Sequence, residues 1–431
     1  MSSVSPGLAF VKNHTYTCFK MRYLCFIMLC MLCACGGRSG YSSYTSPAPA
    51  QVRQQAMPEI TMQHSYYASN DSLHLLLKFE DVRQVLDVLQ ASSSYEYAVR
   101  TGLSDRDAVV LEDSINLPDR RLTDVEGQLH IKLSLPGRVV QEPNVLHLQL
   151  WEVLSSQERM GVEFRVPLQR AMMQKGYLLT TSAGKPLYQN YVTTSDKLLV
   201  RSYSAADSII PVSRYELDFM PAAPPMSMTK PPVPRTLAAV GVDTLTTSDT
   251  LSLAQEGLYL FNPESSFARG VLALPGKYPY VTQAAELIPP LIYLTTAQER
   301  ESLMKAQDPK AAVDAFWLEV GGNESRAREL IRTYYKRVEM ANKLFTAHKA
   351  GWATDRGMIY IIYGRPSSIS QVGPNITWIY RDSETSPYIK FVFTKKENKF
   401  TKNYYELVRR REYEESWYSS VAKWRAGKTN L

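Results

Sequence analysis

Hydrophobic and polar positions alternate through much of residues 60–167. The clearest runs are Leu73 to Phe79, Leu129 to Leu135, Leu146 to Leu150 and Val162 to Phe164. Because successive side chains of a strand point to opposite faces of a sheet, this alternation indicates strands with one buried and one solvated face. Several short strands, separated by turns and without a long helical pattern between them, predict an antiparallel β-sandwich over residues 58–168.

A second antiparallel β-sandwich is predicted for residues 169–285. Its strands are expected at Leu198 to Val200, Tyr215 to Phe219, Thr250 to Leu253 and Gly257 to Phe261. Six prolines interrupt it within residues 221–234, and proline cannot donate to a central β-ladder. We expect this insertion to be a long loop in polyproline conformation. A proline-rich ligand for a partner protein is the alternative.

The period changes to a helical one in the last third of the chain. Helices are predicted from Thr296 to Met304, capped by Thr295 or Thr296, from Asp308 to Val320, and from Asn323 to about Ala350. The third carries an apolar stripe at alternating spacings of four and three residues: Ala327, Ile331, Tyr334, Val338, Ala341 and Phe345. Such a stripe faces a core.

Strands return after the third helix. They are predicted at Met358 to Tyr363, Ile376 to Tyr380 and Tyr388 to Thr394, with a fourth at Tyr404 to Arg409 and a short helix carrying Trp417 and Trp424. The predicted fold class is therefore α+β and multidomain. Two antiparallel β-sandwich domains precede a domain over residues 290–431, in which a helical segment leads into an antiparallel β-meander.

The segment Gly351 to Pro366 joins the predicted helices to the meander. Gly351 is expected to end the long helix in a left-handed conformation. Thr354 to Gly357 reads as a polar turn, because short side-chain oxygens accept backbone N–H groups and glycine accepts positive φ. Met358 to Tyr363 is apolar, β-branched and aromatic, and Gly364 and Pro366 bound it. These features predict a strand buried on both faces.

All five cysteines lie within the first 35 residues: Cys18, Cys25, Cys30, Cys33 and Cys35. An apolar run from Leu24 to Ala34 follows Lys20 and Arg22, and it is too short to span a bilayer but fits a secretory signal. Leu32, Cys33 and Ala34 before Cys35 resemble a bacterial lipobox. We therefore expect residues 1–35 to be a signal peptide that starts at Met21, with Cys35 lipidated. A plain signal peptide or an anchor helix is the alternative.

Residues 36–57 are rich in Gly, Ser, Pro and Ala and are predicted to be a flexible tether. The chain after the signal holds 46 basic and 42 acidic residues, a net charge of +4, which is too mild to suggest nucleic acid. Without further cysteines it has no internal disulfide and no thiolate site. His74, His130 and His147 show no ligand spacing and are predicted to be solvated. We expect no metal and no cofactor.

The run from Phe316 to Arg425 resembles the GWxTD domain, which is found mainly in lipoproteins of Bacteroidetes. The most specific matches are Gly351, Trp352, Thr354, Asp355, Arg356, Gly357, Tyr360, Gly364 and Pro366. The resemblance implies an outer-membrane lipoprotein, and it implies no established activity. Surface-exported members tend to carry an acidic cluster after the lipidated cysteine. Its lack here favours the periplasmic face.

Asp355 is the carboxylate that most invites a chemical role. As a general base it would act with Arg356 or His348, which would bind an anionic or carbonyl group. In the structural alternative, Thr354 and Asp355 accept N–H bonds of the turn, and Asp355 pairs with an arginine. The candidate arginines on the preceding helix are Arg328, Arg332 and Arg337. Trp352 could stack on a ligand or close the end of the core.

Residues 395–431 hold ten basic and five acidic residues. Arg409, Arg410 and Arg411 could contact lipid phosphates, lipopolysaccharide or an acidic protein, or could lie on a solvated hairpin. Two functions follow from the sequence. The first is a non-catalytic envelope lipoprotein, anchored through Cys35, that acts as a scaffold or interaction module with an envelope protein partner. The second is an envelope hydrolase or glycan-binding enzyme centred on Asp355. The oligomeric state stays open.

Overall fold

In a computed structural model, the residues that are described are 62–79, 95–114, 121–122, 129–153, 159–204, 209–229, 238–247, 250–381 and 387–428. All of them belong to one compact unit of the chain. The predicted signal peptide, the predicted lipid anchor at Cys35 and the predicted tether lie outside the described residues. The α+β class, with antiparallel sheets and a C-terminal helical segment followed by a meander, is confirmed.

Two four-stranded antiparallel sheets form the first sandwich, in the orders β1-β2-β6-β5 and β4-β3-β7-β8. The strands are β1 Met62–Ser69, β2 Ser72–Phe79, β3 Tyr95–Arg100, β4 Val109–Ser114, β5 Arg121–Leu122, β6 Leu129–Pro136, β7 Val145–Val153 and β8 Arg159–Pro167. The inward positions of β2 and β6 are fully buried, among them Leu73, Leu75, Leu77, Ile131 and Leu133. Side chains of both sheets share this core, so the alternating pattern predicted the correct buried face.

The second sandwich has a three-stranded sheet, β14-β11-β9, and a five-stranded sheet, β10-β16-β15-β12-β13. Its strands are β9 Tyr177–Thr181, β10 Tyr191–Thr193, β11 Lys197–Ser202, β12 Ile209–Tyr215, β13 Gly241–Thr246, β14 Thr250–Ser252, β15 Gly257–Phe261 and β16 Arg269–Leu274. All described pairs are antiparallel except β10 with β16, which is parallel. The predicted strand at Tyr215 to Phe219 is wrong, because β12 ends at Tyr215.

Six α-helices are described: α1 Ala284–Leu287, α2 Ala297–Met304, α3 Pro309–Gly321, α4 Glu324–Phe345, α5 Asp355–Tyr363 and α6 Glu414–Arg425. The starts predicted for three of them are confirmed, since Thr296, Asp308 and Asn323 each accept a backbone N–H three residues on. A side-chain oxygen at this position satisfies a donor that the first turn leaves open. Local chemistry alone therefore fixed where these helices begin.

The C-terminal sheet is a meander in the order β17-β18-β19-β20. Its strands are β17 Ser368–Val372, β18 Asn375–Tyr380, β19 Ile389–Lys395 and β20 Tyr405–Leu407. The first of these, β17, was not predicted. Its sequence, SISQV, is short and mostly polar, and it pairs at the edge of the sheet, where little of it is buried.

The predicted strand at Met358 to Tyr363 is wrong, because this segment forms most of helix α5. Met358, Ile359, Ile361, Ile362 and Tyr363 are all buried. A segment that is enclosed on every side is apolar throughout, so its sequence shows neither the period of a strand nor that of a helix. Thr354 caps the segment as a helix, and packing against α4 decides the assignment.

The predicted end of the long helix was also wrong. Helix α4 ends at Phe345, not near Ala350, and Gly351 does not adopt a left-handed conformation. Gly351 instead begins a 3₁₀ turn, Gly351–Ala353, that lies against α4. The left-handed position in this region is Gly364, with a φ of 79°, which follows the last residue of α5.

The proline-rich insertion connects β12 to β13, which pair with each other. Residues 216–229, which include the described part of the insertion at 221–229, leave the second sandwich and lie on the C-terminal domain. The Ala222 N–H donates to the carbonyl of Ala353 at 2.9 Å, and Ala222 is buried in the C-terminal core. We call residues 216–229 the strap. The strap is a loop between strands, as predicted. It packs against the C-terminal domain of the same chain.

Candidate functional site

The candidate site is the corner between α4 and α5, built from residues 351–357. Thr354 caps α5, since its hydroxyl oxygen accepts from the Gly357 N–H at 3.1 Å. The same hydroxyl donates to the carbonyl of Gly351 at 2.8 Å. One threonine therefore ties the 3₁₀ turn to the first turn of the helix and satisfies donors and acceptors that both elements leave open.

Two glycines permit the close packing of this corner. A Cβ on Gly351 would lie 2.1 Å from the Ala341 carbonyl oxygen and 2.5 Å from the Asn342 Cα, both on α4. A Cβ on Gly357 would lie 1.9 Å from the carbonyl oxygen of Gly351. Neither position admits a side chain without movement of backbone. The first glycine therefore sets the turn against α4, and the second sets α5 against the turn.

Hydrogen bonds hold the turn to its surroundings from two sides. The Trp352 N–H donates to Asn342 Oδ1 at 3.0 Å, and the Asn342 amide donates to the carbonyl of Pro279 at 3.1 Å. The Gly351 N–H donates to the hydroxyl of Tyr278 at 3.1 Å. Asn342 is 2% exposed, so these bonds are shielded from competing water and fix the position of the corner.

Asp355 forms a two-point ion pair with Arg409. Its Oδ1 lies 2.6 Å from Nη2 and its Oδ2 lies 3.1 Å from Nη1, while Oδ2 also accepts the N–H of Leu407 at 2.7 Å. The two side chains are 10% and 12% exposed. The predicted pairing with an arginine of α4 is therefore wrong: the partner lies just beyond β20, 54 residues further along the chain.

Two of the three candidate arginines of α4 have other partners, and the third, Arg332, is exposed. Arg337 donates from Nη1 to the carbonyls of Ile361 and Ile362, at 3.1 and 3.0 Å, which satisfies the open C-terminal end of α5. Arg328 pairs with Glu324 on the exposed face of its own helix. Neither one contacts Asp355.

Arg356 is buried and serves the end of α4. Its Nη2 donates to the carbonyl and to the Oδ1 of Asn403, at 2.8 and 2.6 Å, and the Asn403 amide donates to the carbonyls of Leu344 and Thr346. The guanidinium lies over the Tyr405 ring at 4.2 Å. Burial lowers the pKa of Arg356 to about 10, so the group stays charged at neutral pH.

His348 lies near the corner but does not join Asp355. Its Nδ1 is 3.3 Å from the Asn398 amide nitrogen, and the rings of Phe219 and Tyr404 pack edge-on against it. Burial, and secondly the charge of Lys349, lower the pKa of His348 to about 4. It is therefore neutral at pH 7. Among the described residues, no hydrogen bond links His348 or Arg356 with Asp355.

Trp352 is half-buried and lines a hollow of about 290 Å³. The other walls come from the strap, with Phe219 and Pro221, and from Tyr278 and Tyr280. Lys349 also lines this hollow, and its Nζ donates to the carbonyl of Met220 at 2.8 Å. Asp355 does not line it. The tryptophan thus covers one side of the corner while the carboxylate is engaged on the other.

Comparison with known families agrees with this arrangement. A family model described as the GWxTD domain matches residues 257–426. This chain contains a GWxTD domain. The domain begins at β15, so β15 and β16 of the second sandwich belong to the matched segment. No curated protein matches the chain.

The GWxTD domain and the sandwich strands are closely packed where they meet. A Cβ on Gly270 of β16 would lie 2.1 Å from the carbonyl oxygen of Phe400 in the β19–β20 loop. The Asn190 amide donates to the carbonyls of Thr346 and Ala347, at 3.1 and 3.2 Å. Strands β15 and β16, which lie inside the match, thus belong to a sandwich that contacts the rest of the matched segment.

Two of the three arginines singled out in the tail lie at the surface. Arg410 pairs with Glu412 at 3.1 Å, with both side chains more than half exposed, and Arg411 is exposed. Arg409 differs, since its guanidinium is engaged by Asp355 and by the carbonyl of Ala223 on the strap at 3.1 Å. It joins the corner to the strap.

The histidine predictions were partly wrong. His147 is 1% and His130 is 8% exposed, because each finds a polar partner inside: His147 contacts Glu163 and the carbonyl of Gly102, each at 2.8 Å. Asp105, His147 and Glu163 bring three possible ligand atoms together. The Arg165 Nη2 lies 3.0 Å from Asp105 and 2.7 Å from Glu163, so a guanidinium already pairs with both acids.

Within the part of the chain that the structure describes, no helix has the length and apolarity needed to cross a membrane.

Proposed function

We propose that this protein is a non-catalytic interaction module of the cell envelope, in which the GWxTD corner holds the sandwiches and the helical domain as one rigid body. The observation that carries the proposal is that internal hydrogen bonds engage both carboxylate oxygens of Asp355. Both of its oxygens accept hydrogen bonds from Arg409, and one also accepts from the Leu407 N–H.

A general base must reach the proton that it removes and have an oxygen available for it. The Asp355 side chain is 10% exposed, and the side chain of its partner Arg409 is 12% exposed. His348 and Arg356, the other two candidates for catalysis, are engaged with Asn398 and Asn403. The three side chains therefore serve three separate internal contacts and do not converge on a shared space. This favours the scaffold over the enzyme.

Arg409 gives the scaffold its coherence. The same guanidinium contacts the corner through Asp355 and the strap through Ala223. The strap in turn adds the Ala222–Ala353 hydrogen bond and the Lys349–Met220 hydrogen bond. The strap, which leaves the second sandwich, is thus hydrogen-bonded to residues in and beside the GWxTD motif. Such a connection suits a module that presents fixed surfaces to a partner.

The expected anchor completes the proposal. The lipobox-like residues before Cys35 and the Gly-, Ser- and Pro-rich segment 36–57 fit a lipid-anchored body on a tether of an outer membrane, on its periplasmic face. A body tethered in this way meets partners of the envelope at high effective concentration. We expect at least one envelope protein among them.

The test compares Asp355→Asn with wild type in cells that lack the native protein. Asparagine keeps the shape and one acceptor but removes the charge. The scaffold predicts that envelope integrity and cross-linked recovery of the partner fall only in proportion to the folded protein that remains. A variant that folds to wild-type level, retains the partner and still fails to complement would establish a chemical role for Asp355. Asp314→Asn, in an exposed pair with Lys310, is the matched control.

A further inference from the structure

A second, larger cavity lies away from the corner. It has a volume of about 920 Å³ and is formed by β1 of the first sandwich, the β10 and β16 region of the second, and the β19–β20 loop of the GWxTD domain. Its size is that of a cleft for a substantial ligand. Asp355 does not line it.

Positive charge dominates this cleft. Its lining includes Arg269, Lys175, Lys395, Lys399 and Lys402. Glu163 is the acidic residue among the lining residues described, and it already accepts from Arg165 and His147. The cationic groups of the lining therefore outnumber its one described carboxylate.

Arg269 shows the imbalance most clearly. Its partners are the Ser65 hydroxyl and the carbonyls of Leu187 and Gln189, all neutral. Burial lowers its pKa, and no ion pair with a described residue opposes that shift. A buried guanidinium is ordinarily paired with an acid. Glu163, the acid of the lining, is engaged with Arg165 and His147 instead.

His64 is an exposed residue that lines the cleft. Desolvation by the surrounding protein, and then the charges of Arg269, Lys175 and Lys395, lower its pKa. Cations from three different parts of the fold thus act on one point.

The lining also offers an acceptor for a ligand hydroxyl. Gln63 Oε1 is buried and has no donor among the described residues, and the amide side chain of Gln189 lines the same cleft. Cations together with neutral amides match a ligand that carries both anionic groups and hydroxyls.

We propose that this cleft binds a polyhydroxylated anion of the sugar phosphate class. The phosphate groups would lie against Arg269 and Lys395, and the hydroxyls against the amides. The site does not depend on the function proposed for the corner, since it shares neither Asp355 nor the lipid anchor with it. It joins all three structured parts of the protein, so ligand binding would also stabilise their arrangement.

The test is titration calorimetry on the purified full-length protein with glucose 1,6-bisphosphate, glucose and tripolyphosphate. We expect saturable one-site binding of the bisphosphate, binding of glucose at least 100-fold weaker, and competition by tripolyphosphate. Lys395→Gln/Lys402→Gln removes two exposed cations of the lining and should weaken bisphosphate binding at least tenfold. Lys396→Gln/Lys423→Gln, at exposed positions outside the cleft, changes the net charge equally and should stay within twofold.

Four results would overturn the proposal: no saturable binding of the bisphosphate, equal binding of glucose, equal loss in the two double variants, or binding to phosphatidylglycerol vesicles without binding of any soluble probe. The last would indicate a charged surface for membranes instead of a cleft for a sugar phosphate. None of these outcomes bears on Asp355→Asn, so the two proposals fail separately.

Discussion

Asp355 and Arg409 meet side by side, Oδ1 to Nη2 at 2.6 Å and Oδ2 to Nη1 at 3.1 Å, although 54 residues separate them in the chain. Asp355 belongs to the first turn of α5, and Arg409 lies two residues after the end of β20. Since Arg409 also donates to the strap, this one contact joins the helical part, the meander and the second sandwich.

Breaking this pair should destabilise the protein. We expect Asp355→Asn to lower the free energy of unfolding by about 3 kcal/mol, because it leaves a nearly buried guanidinium without its counter-charge. Arg409→Gln should cost a similar amount, and the double variant should cost clearly less than the sum of the two. Denaturant unfolding of the four proteins measures the coupling. Additive losses would show that the two residues do not act as a pair.

Gly351→Ala should destabilise by about 2 kcal/mol or more, because overpacking against backbone cannot be relieved by a side-chain rotation. The new Cβ would meet the Ala341 carbonyl oxygen at 2.1 Å. Gly241→Ala is the control, since its Cβ would find its nearest neighbour at 3.8 Å. Thermal melting of both variants decides the matter, and equal melting points would contradict a steric role for Gly351.

The strap should contribute to stability through Ala222. We expect Ala222→Arg to cost about 2 kcal/mol or more, because it forces a charge into the C-terminal core and disturbs the contact with Ala353. Met228, which is 62% exposed on the same segment, supplies the control, and Met228→Arg should be nearly neutral. If the strap served mainly as a ligand for another protein, both variants would melt like wild type.

Stability should fall in mild acid partly because of His348. Its pKa in the folded protein is about 4, below the ordinary value, so the unfolded chain binds more protons between about pH 6.5 and pH 4. The neutral ring therefore contributes stability that is complete above pH 6.5 and is lost as the pH falls towards 4. The loss can reach about 3 kcal/mol.

The measurement is the melting point from pH 7.5 to 4.5 for wild type and His348→Gln. Asn398, Lys349 and Glu406 are the polar and charged groups that act on the ring, and they are retained in the variant. We expect a shallower pH dependence in the variant. His64 is shifted in the same direction, so some dependence persists, and an unchanged slope would exclude His348 as a contributor.

The anchor is tested at Cys35, which lies outside the described residues. If Cys35 is lipidated, Cys35→Ala should move the protein from the detergent phase to the aqueous phase, because several acyl chains are needed for stable anchoring. Cys33→Ala is the control and should stay in the detergent phase. If Cys35→Ala stays in the detergent phase, Cys35 is not the lipid anchor and the lipoprotein part of the proposed function is wrong.

Some of this fold could be predicted because its cause is local. Thr296, Asp308 and Asn323 cap helices through bonds to residues three positions on, and the stripe on α4 repeats within one element. Strands β2, β6 and β7 each have one face against the shared core, so apolar and polar residues alternate along their sequences. The GWxTD motif itself was visible in the residues from Gly351 to Pro366.

Other features depend on residues that only the tertiary structure brings together. Met358 to Tyr363 carries no readable period because every side of α5 is enclosed. Gly351 looked like a left-handed helix stop, whereas the close approach of α4 is what excludes a Cβ there. The partner of Asp355, the position of the strap and the convergence of Arg269 with Lys395 join segments up to 186 residues apart. Nearest-neighbour chemistry sets caps and alternation, but which charges meet is decided by how the layers pack.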